Sequence, residues 1–151
     1  MICDIVRDAL YCPSACNRQP FKVYFSEDKE KIAKIIKLGA DGFLAAGIYD
    51  CLIITCDKAL QNLGEIDDQE YVNGGIFLGY LVMSVHAHGL GSCLFQCLRS
   101  SVAKQDKIRR TFGISESEAI VCCMGIGELE DSVNCACSQR RPVETVAISL
   151  D

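Results

Sequence analysis

Asp67-Asp68-Gln69-Glu70-Tyr71-Val72-Asn73-Gly74-Gly75-Ile76-Phe77-Leu78-Gly79-Tyr80-Leu81-Val82-Met83-Ser84-Val85-His86-Ala87-His88-Gly89 decides the fold of this chain. Asp67 or Asp68 can cap a helix that is apolar on nearly all sides, and such a helix is buried in a core, a subunit interface or a membrane. The uncharged, mostly apolar part, Gly74 to Val85, is 12 residues long, whereas roughly 20 are needed to span a bilayer. Core or interface follows, and no membrane partner. His86 and His88 point about 200° apart on a helix, so they cannot share a metal; they read as C-terminal residues that complement the helix dipole.

Downstream, Leu90 to Leu98 reads as an extended segment and Arg99 to Phe112 as a charged helix closing at Gly113. Ala119 to Gly127 is an apolar strand, 128–139 a polar loop, and Val143 to Ile148 a last strand of alternating character. Gly125 and Gly127, with no helix signal after them, are weak evidence for a phosphate loop. Upstream, Ile2, Ile5, Val6, Ala9 and Leu10 give a helix stopped by Pro13, and Phe21 to Phe25 has strand composition. Ser26 is the expected N-cap of an amphipathic helix ending at Gly39, and Cys51 to Cys56 an apolar strand covered on both faces. This order does not alternate regularly enough for a doubly wound sheet. It predicts an α+β fold, a mostly antiparallel central sheet flanked by helices with the long helix buried at its heart.

At 151 residues, 50% of them apolar, the chain is expected to form a single domain over 1–151. Its net charge of −5 carries no basic cluster beyond short pairs, which argues against a nucleic-acid partner. The eleven cysteines are odd in number, sit largely inside apolar runs and follow no signal peptide. They read as free thiols in a reducing compartment, and the expected localisation is cytoplasmic. No Cys-x-x-Cys pair occurs and no histidine stands at zinc-finger spacing from Cys12/Cys16 or Cys135/Cys137, so no metal site is assigned.

Pro13-Ser14-Ala15-Cys16-Asn17-Arg18-Gln19-Pro20-Phe21 resembles the Pro-Ser-x-x-Asn-x-Gln-Pro-aromatic signature of the nitroreductase-like family. Three further segments follow in that family's order: Tyr71 to Gly75, Gly89-Leu90-Gly91-Ser92-Cys93, and Arg140-Arg141-Pro142. The resemblance implies an FMN-dependent oxidoreductase, NAD(P)H as transient electron donor, a homodimer with the long helix at its interface, and a small-molecule acceptor such as a nitroaromatic, quinone, enone or flavin. The family's arginine-rich arm ahead of the first helix has no counterpart here, so the chain is expected to be an N-terminally short member.

A flavin ring presents an acceptor, donor, acceptor edge, for which hydroxyl, amide and backbone groups are suitable partners. Pro13, Ser14, Asn17 and Gln19 are the candidates that the signature implies, facing the partner subunit's flavin. Turn residues of this kind also form Asx-turns in proteins of every function. By resemblance Phe95, Gln96 and Cys97 pass the flavin N5 edge, where backbone N–H groups would stabilise developing negative charge. Arg140, with Arg141 as lesser partner, is the candidate phosphate ligand, since guanidinium forks match phosphate. No side chain is assigned a catalytic role. The alternative is a degenerate member of the family, a binding or scaffold module with weak or no flavin turnover.

Overall fold

The computed structural model describes residues 1–39, 48, 50–61, 68–96, 101–132 and 137–150. Cys97 and the stretch from Ala40 to Gly47 lie outside them. Four helices and four strands are described: α1 (Ile2–Ala9), β1 (Phe21–Ser26), α2 (Lys29–Gly39), β2 (Asp50–Asp57), α3 (Gln69–Ala87), β3 (Leu90–Phe95), α4 (Val102–Phe112) and β4 (Glu118–Glu128). The strands form one sheet in the order β1-β2-β4-β3, antiparallel throughout, so the α+β expectation holds.

Alternation along the two central strands divides the core into two layers. Leu52, Ile54 and Cys56 of β2, with Cys122, Met124 and Ile126 of β4, meet α1 and α3 through Ile5, Phe77, Leu81 and Val85. Cys51 and Ile53, with Ile120 and Cys123, meet Ile32, Ile35 and Ile36 of α2 and Ile108 of α4. Both strands are therefore buried on both faces, which is why their interiors read as apolar runs, with Thr55 the exception.

Between Ile54 and Thr55 the register against β4 shifts, leaving Val121 as an extra residue, a β-bulge. The N-terminal part of α3 crosses the sheet at this point. A Cβ on Gly74 would lie 2.4 Å from Val121 Cγ2 and 3.3 Å from Cys56 Sγ. Glycine is what lets the helix approach here. Gly74→Ala is expected to destabilise by about 1–3 kcal/mol through overpacking, despite alanine's helix preference; thermal unfolding would show a lowered Tm, and an unchanged Tm would contradict this packing.

Three expectations need correction. Val143 to Ile148 is not a strand: Val143–Thr145 is a single 3-10 turn, and the residues around it are exposed. Ser26 does not cap α2; its Oγ accepts from Asp28 N–H, and Asp28 Oδ1 accepts from Glu30 N–H at 2.9 Å. The charged helix starts at Val102, capped by Ser101 Oγ accepting from Lys104 N–H. Gly113 closes it with φ 67°, as its sequence position suggests.

Within the chain α3 is buried on one side only. Glu70, Asn73, Gly74, Phe77, Leu78, Leu81, Ser84 and Val85 face the sheet and α1. Val72, Gly75, Ile76, Gly79, Tyr80 and Met83 form an opposite stripe at helical spacing, exposed and without a charge. No helix among the described residues is long and apolar enough to cross a membrane.

Candidate functional site

The Pro13–Phe21 segment runs from the end of α1 into β1 as a loop wound on itself. Ser14 O and Ala15 O accept from Asn17 and Arg18 N–H, and Ser14 Oγ accepts from Gln19 N–H at 2.9 Å. Gln19 Nε2 donates to Asn17 Oδ1 at 3.0 Å. Three of its residues that are not glycine lie in the left-handed region: Cys16 at φ 48°, Asn17 at 54° and Gln19 at 48°. Each such residue costs about 1–2 kcal/mol, less for asparagine. The surrounding structure must over-determine so strained a conformation.

Part of that determination comes from α3. Ala15 N–H donates to Oδ1 of Asn73 at 3.0 Å, and Gln69 Nε2 reaches the same oxygen at 3.4 Å. Asn73 is 2% exposed. At the loop's far end Asp57 N–H donates to Pro20 O at 2.8 Å, joining it to the end of β2. Asn17 and Gln19 are exposed and Ser14 half-buried. Among the described residues, nothing occupies Asn17 Nδ2 or Gln19 Oε1, so the loop offers outward one amide donor group and one amide acceptor.

The other candidates lie on different elements. Phe95 ends β3, the edge strand beside β4, and is buried against the α2/α4 layer, so its side chain is core. Gln96 follows it and is exposed. Because β3 has a strand on one side only, alternate backbone N–H groups point away from the sheet. Arg140 and Arg141 are exposed, and each donates to a nearby carbonyl, Ser138 O at 3.4 Å and Thr145 O at 3.3 Å. Three surface clefts border α4, one of them reaching Tyr24 and Lys31, and none is lined by a candidate residue. The structure thus unites Ser14, Asn17 and Gln19 by hydrogen bonds, and among the described residues no hydrogen bond joins Gln96, Arg140 or Arg141 to them.

The thiols are chemically quiet where they are buried. Burial, with nearby acidic groups and thiols adding to it, pushes Cys51 and Cys56 up to about 12 and Cys123 well above the usual thiol range. At neutral pH they are thiols, not thiolates. None of the nine cysteines among the described residues is in a disulfide. No cluster of three metal-ligating side chains occurs among the described residues. His88 Nε2 lies 2.9 Å from Asp8 Oδ2, tying the end of α3 to α1.

A buried polar cluster was not anticipated from sequence. Glu118, 1% exposed at the start of β4, accepts from Thr55 Oγ1 at 2.6 Å, Lys22 Nζ at 2.9 Å and Tyr24 Oη at 2.9 Å. Lys22 also reaches Asp57 Oδ2 at 3.4 Å. Burial raises the Glu118 carboxyl, but the hydrogen bonds from Thr55, Lys22 and Tyr24 outweigh it and hold the group below the ordinary glutamate range. The cluster joins β1, β2 and β4 at one end of the sheet. Only Glu118 itself, an acidic residue opening an apolar strand, could have signalled it.

The family model described as "Nitroreductase family" matches residues 51–128, just over half of the chain. No curated protein matches. Among solved structures, an FMN-dependent nitroreductase from Clostridium difficile R20291 is 22% identical, with a TM-score of 0.75 over 91% of this chain and 79% of its own. A nitroreductase-like protein from Streptococcus mutans is 18% identical, with a TM-score of 0.80 over 99% of this chain and 86% of its own. The NADPH:FMN oxidoreductase from Vibrio harveyi, solved with NAD+, is 20% identical, with a TM-score of 0.79 over 98% of this chain and 66% of its own.

Proposed function

The chain belongs to the nitroreductase family, and from that premise we propose that it is an FMN-dependent oxidoreductase, taking hydride from NAD(P)H and passing electrons to a small-molecule acceptor. Nitroaromatics, quinones, enones and free flavin are the acceptor classes in view. The observation that carries this reading is the signature loop, strained into a left-handed path that leaves Asn17 Nδ2 and Gln19 Oε1 free and outward. Those groups fit a ring with an acceptor, donor, acceptor edge and a hydroxylated side chain. When bound, FMN supplies the two-electron chemistry. Ser14, Asn17 and Gln19 would orient the ring and ribityl chain, with Pro13 fixing the loop's entry. Outward N–H groups at the end of β3, near Phe95, Gln96 and Cys97, would stabilise negative charge at the N5 edge. Arg140 and Arg141, each donating to one carbonyl among the described residues, keep the capacity to hold a phosphate.

Among the described residues no hydrogen bond joins the loop to Arg140 or Arg141, which fits a site shared between two protomers. The exposed stripe on α3 supports a homodimer: Val72, Ile76, Tyr80 and Met83 are 55%, 37%, 45% and 67% exposed, and Gly75 and Gly79 have open space over them. A second copy of α3 could approach closely there. Val146, Ile148 and Leu150 in the C-terminal segment are exposed in the same way. The free thiols among the described residues support a reducing, cytoplasmic setting.

The direct test is a titration of apoprotein with FMN and with riboflavin, followed by flavin fluorescence. Arg140→Ala is expected to weaken FMN roughly 10- to 150-fold and to leave riboflavin unchanged, since it removes a charge-assisted contact worth about 1.5–3 kcal/mol. Asn17→Ala is expected to weaken both ligands by about 0.5–1.5 kcal/mol. Equal affinity of the unmutated protein for FMN and riboflavin would show that no arginine reads the phosphate. The alternative, a binding or scaffold module with weak or no flavin turnover, predicts little or no NAD(P)H oxidation at any flavin concentration.

A further inference from the structure

We propose that Asn73 is a positioning residue that holds the Pro13–Phe21 loop in its flavin-facing conformation from the buried side of α3. This rests on the loop's being the flavin-contacting segment, but the clamp itself is visible without any ligand. Ala15, the residue before the three left-handed positions, has its N–H fixed by Asn73 Oδ1 across a sequence separation of 58 residues. Gln69, one turn earlier on the helix, donates to the same atom. The loop's own hydrogen bonds close it on itself and do not set how it sits against the helix. Its exit is set by Pro20 O and its first half by Asn73.

The chemistry of the clamp is specific. Both donors converge on one oxygen, so the position requires an acceptor. An amide or a carboxylate can serve; an aliphatic side chain cannot. Without the acceptor, the Ala15 N–H would need water, and the left-handed residues that follow would relax toward ordinary backbone. Asn17 and Gln19 would then lose their fixed presentation without being altered themselves.

Hydrogen–deuterium exchange and FMN titration of the full chain, its Asn73→Ala variant and its Asn73→Asp variant form the test. The alanine variant, at a helix-favouring position, is expected to speed exchange at 14–19 at least tenfold and weaken FMN at least tenfold, with exchange in β2 unchanged. The aspartate variant is expected to restore both to within about threefold, because it keeps the acceptor. Unchanged loop exchange in the alanine variant, or an Ala15 amide that exchanges as fast as open loop in the unmutated protein, would overturn the proposal. If the unmutated protein binds no FMN, the flavin reading fails, and the exchange data alone decide on the clamp.

Discussion

Met83→Glu is expected to dissociate the protein into protomers, raising the dimer dissociation constant by at least about 100-fold. In an isolated protomer the change would be nearly silent. Met83 is 67% exposed, and exposed substitutions away from special features usually fall within about 0.5 kcal/mol. In a dimer built on the Val72, Gly75, Ile76, Gly79, Tyr80 and Met83 stripe, the new carboxylate would be removed from water with no cation in the stripe to pair it. An uncompensated buried charge costs about 3–5 kcal/mol. Val102→Glu supplies the control, since Val102 is 74% exposed on α4, away from the stripe. Sedimentation equilibrium at micromolar concentration should find dimer for the unmutated protein and the control, and protomer for Met83→Glu. A monomeric unmutated protein would remove the shared site along with the dimer.

Glu118→Leu is expected to cost about 3 kcal/mol at neutral pH and to lower Tm by roughly 6–12 °C. The leucine would leave the hydroxyls of Thr55 and Tyr24 without their acceptor and leave Lys22 only its longer contact with Asp57. The pH dependence gives the sharper signature. The Glu118 carboxyl is held below its ordinary value when folded, so the unfolded chain takes up its proton first as the pH falls. Its contribution is complete above the ordinary glutamate range and is lost as the pH drops through the folded value. Tyr24 acts in the opposite sense: burial first, and then the Glu118 carboxylate, raise its hydroxyl, so its contribution fades only in strong alkali. Urea midpoints for the unmutated protein and Glu118→Leu, followed from pH 7 down to about pH 2, below the ordinary glutamate range, should converge on the acid side. A gap that stays constant would mean that Glu118 stabilises by shape and not by charge.

Much of the fold is legible in the residues because its central strands are buried on both faces. Cys51 to Cys56, apart from Thr55, and Ala119 to Gly127 are apolar for that reason. The long helix is legible for a different reason: its two apolar stripes add up to a segment with no polar side, of which the protomer buries one. Where the local signal needs a partner to take effect, sequence misleads. Val143, Val146 and Ile148 have a strand's apolar character, but an isolated strand has no stability, and none of the described strands pairs with them. Asp28 caps α2 and Ser26 does not, because the choice between two good capping residues is settled by where the chain leaves β1.

The candidate site is legible as a loop and not as a conformation. In Cys16-Asn17-Arg18-Gln19 only Asn17 hints at left-handed backbone, since no glycine is present. Asn73 was visible only as part of a motif; its meaning lies on the buried stripe 70, 73, 74, 77, where a polar residue must find a partner. Arg140 and Arg141 remain sequence arguments, carried by their charge and their exposure.

The central claim is that this chain turns over electrons through FMN, and anaerobic absorbance at the flavin band tests it most directly. Protein with one equivalent of FMN, mixed with NADH or NADPH, should bleach with at least one of them and recover its colour when a quinone or nitroaromatic is added. A bound flavin that keeps its full absorbance with both nucleotides would contradict the account.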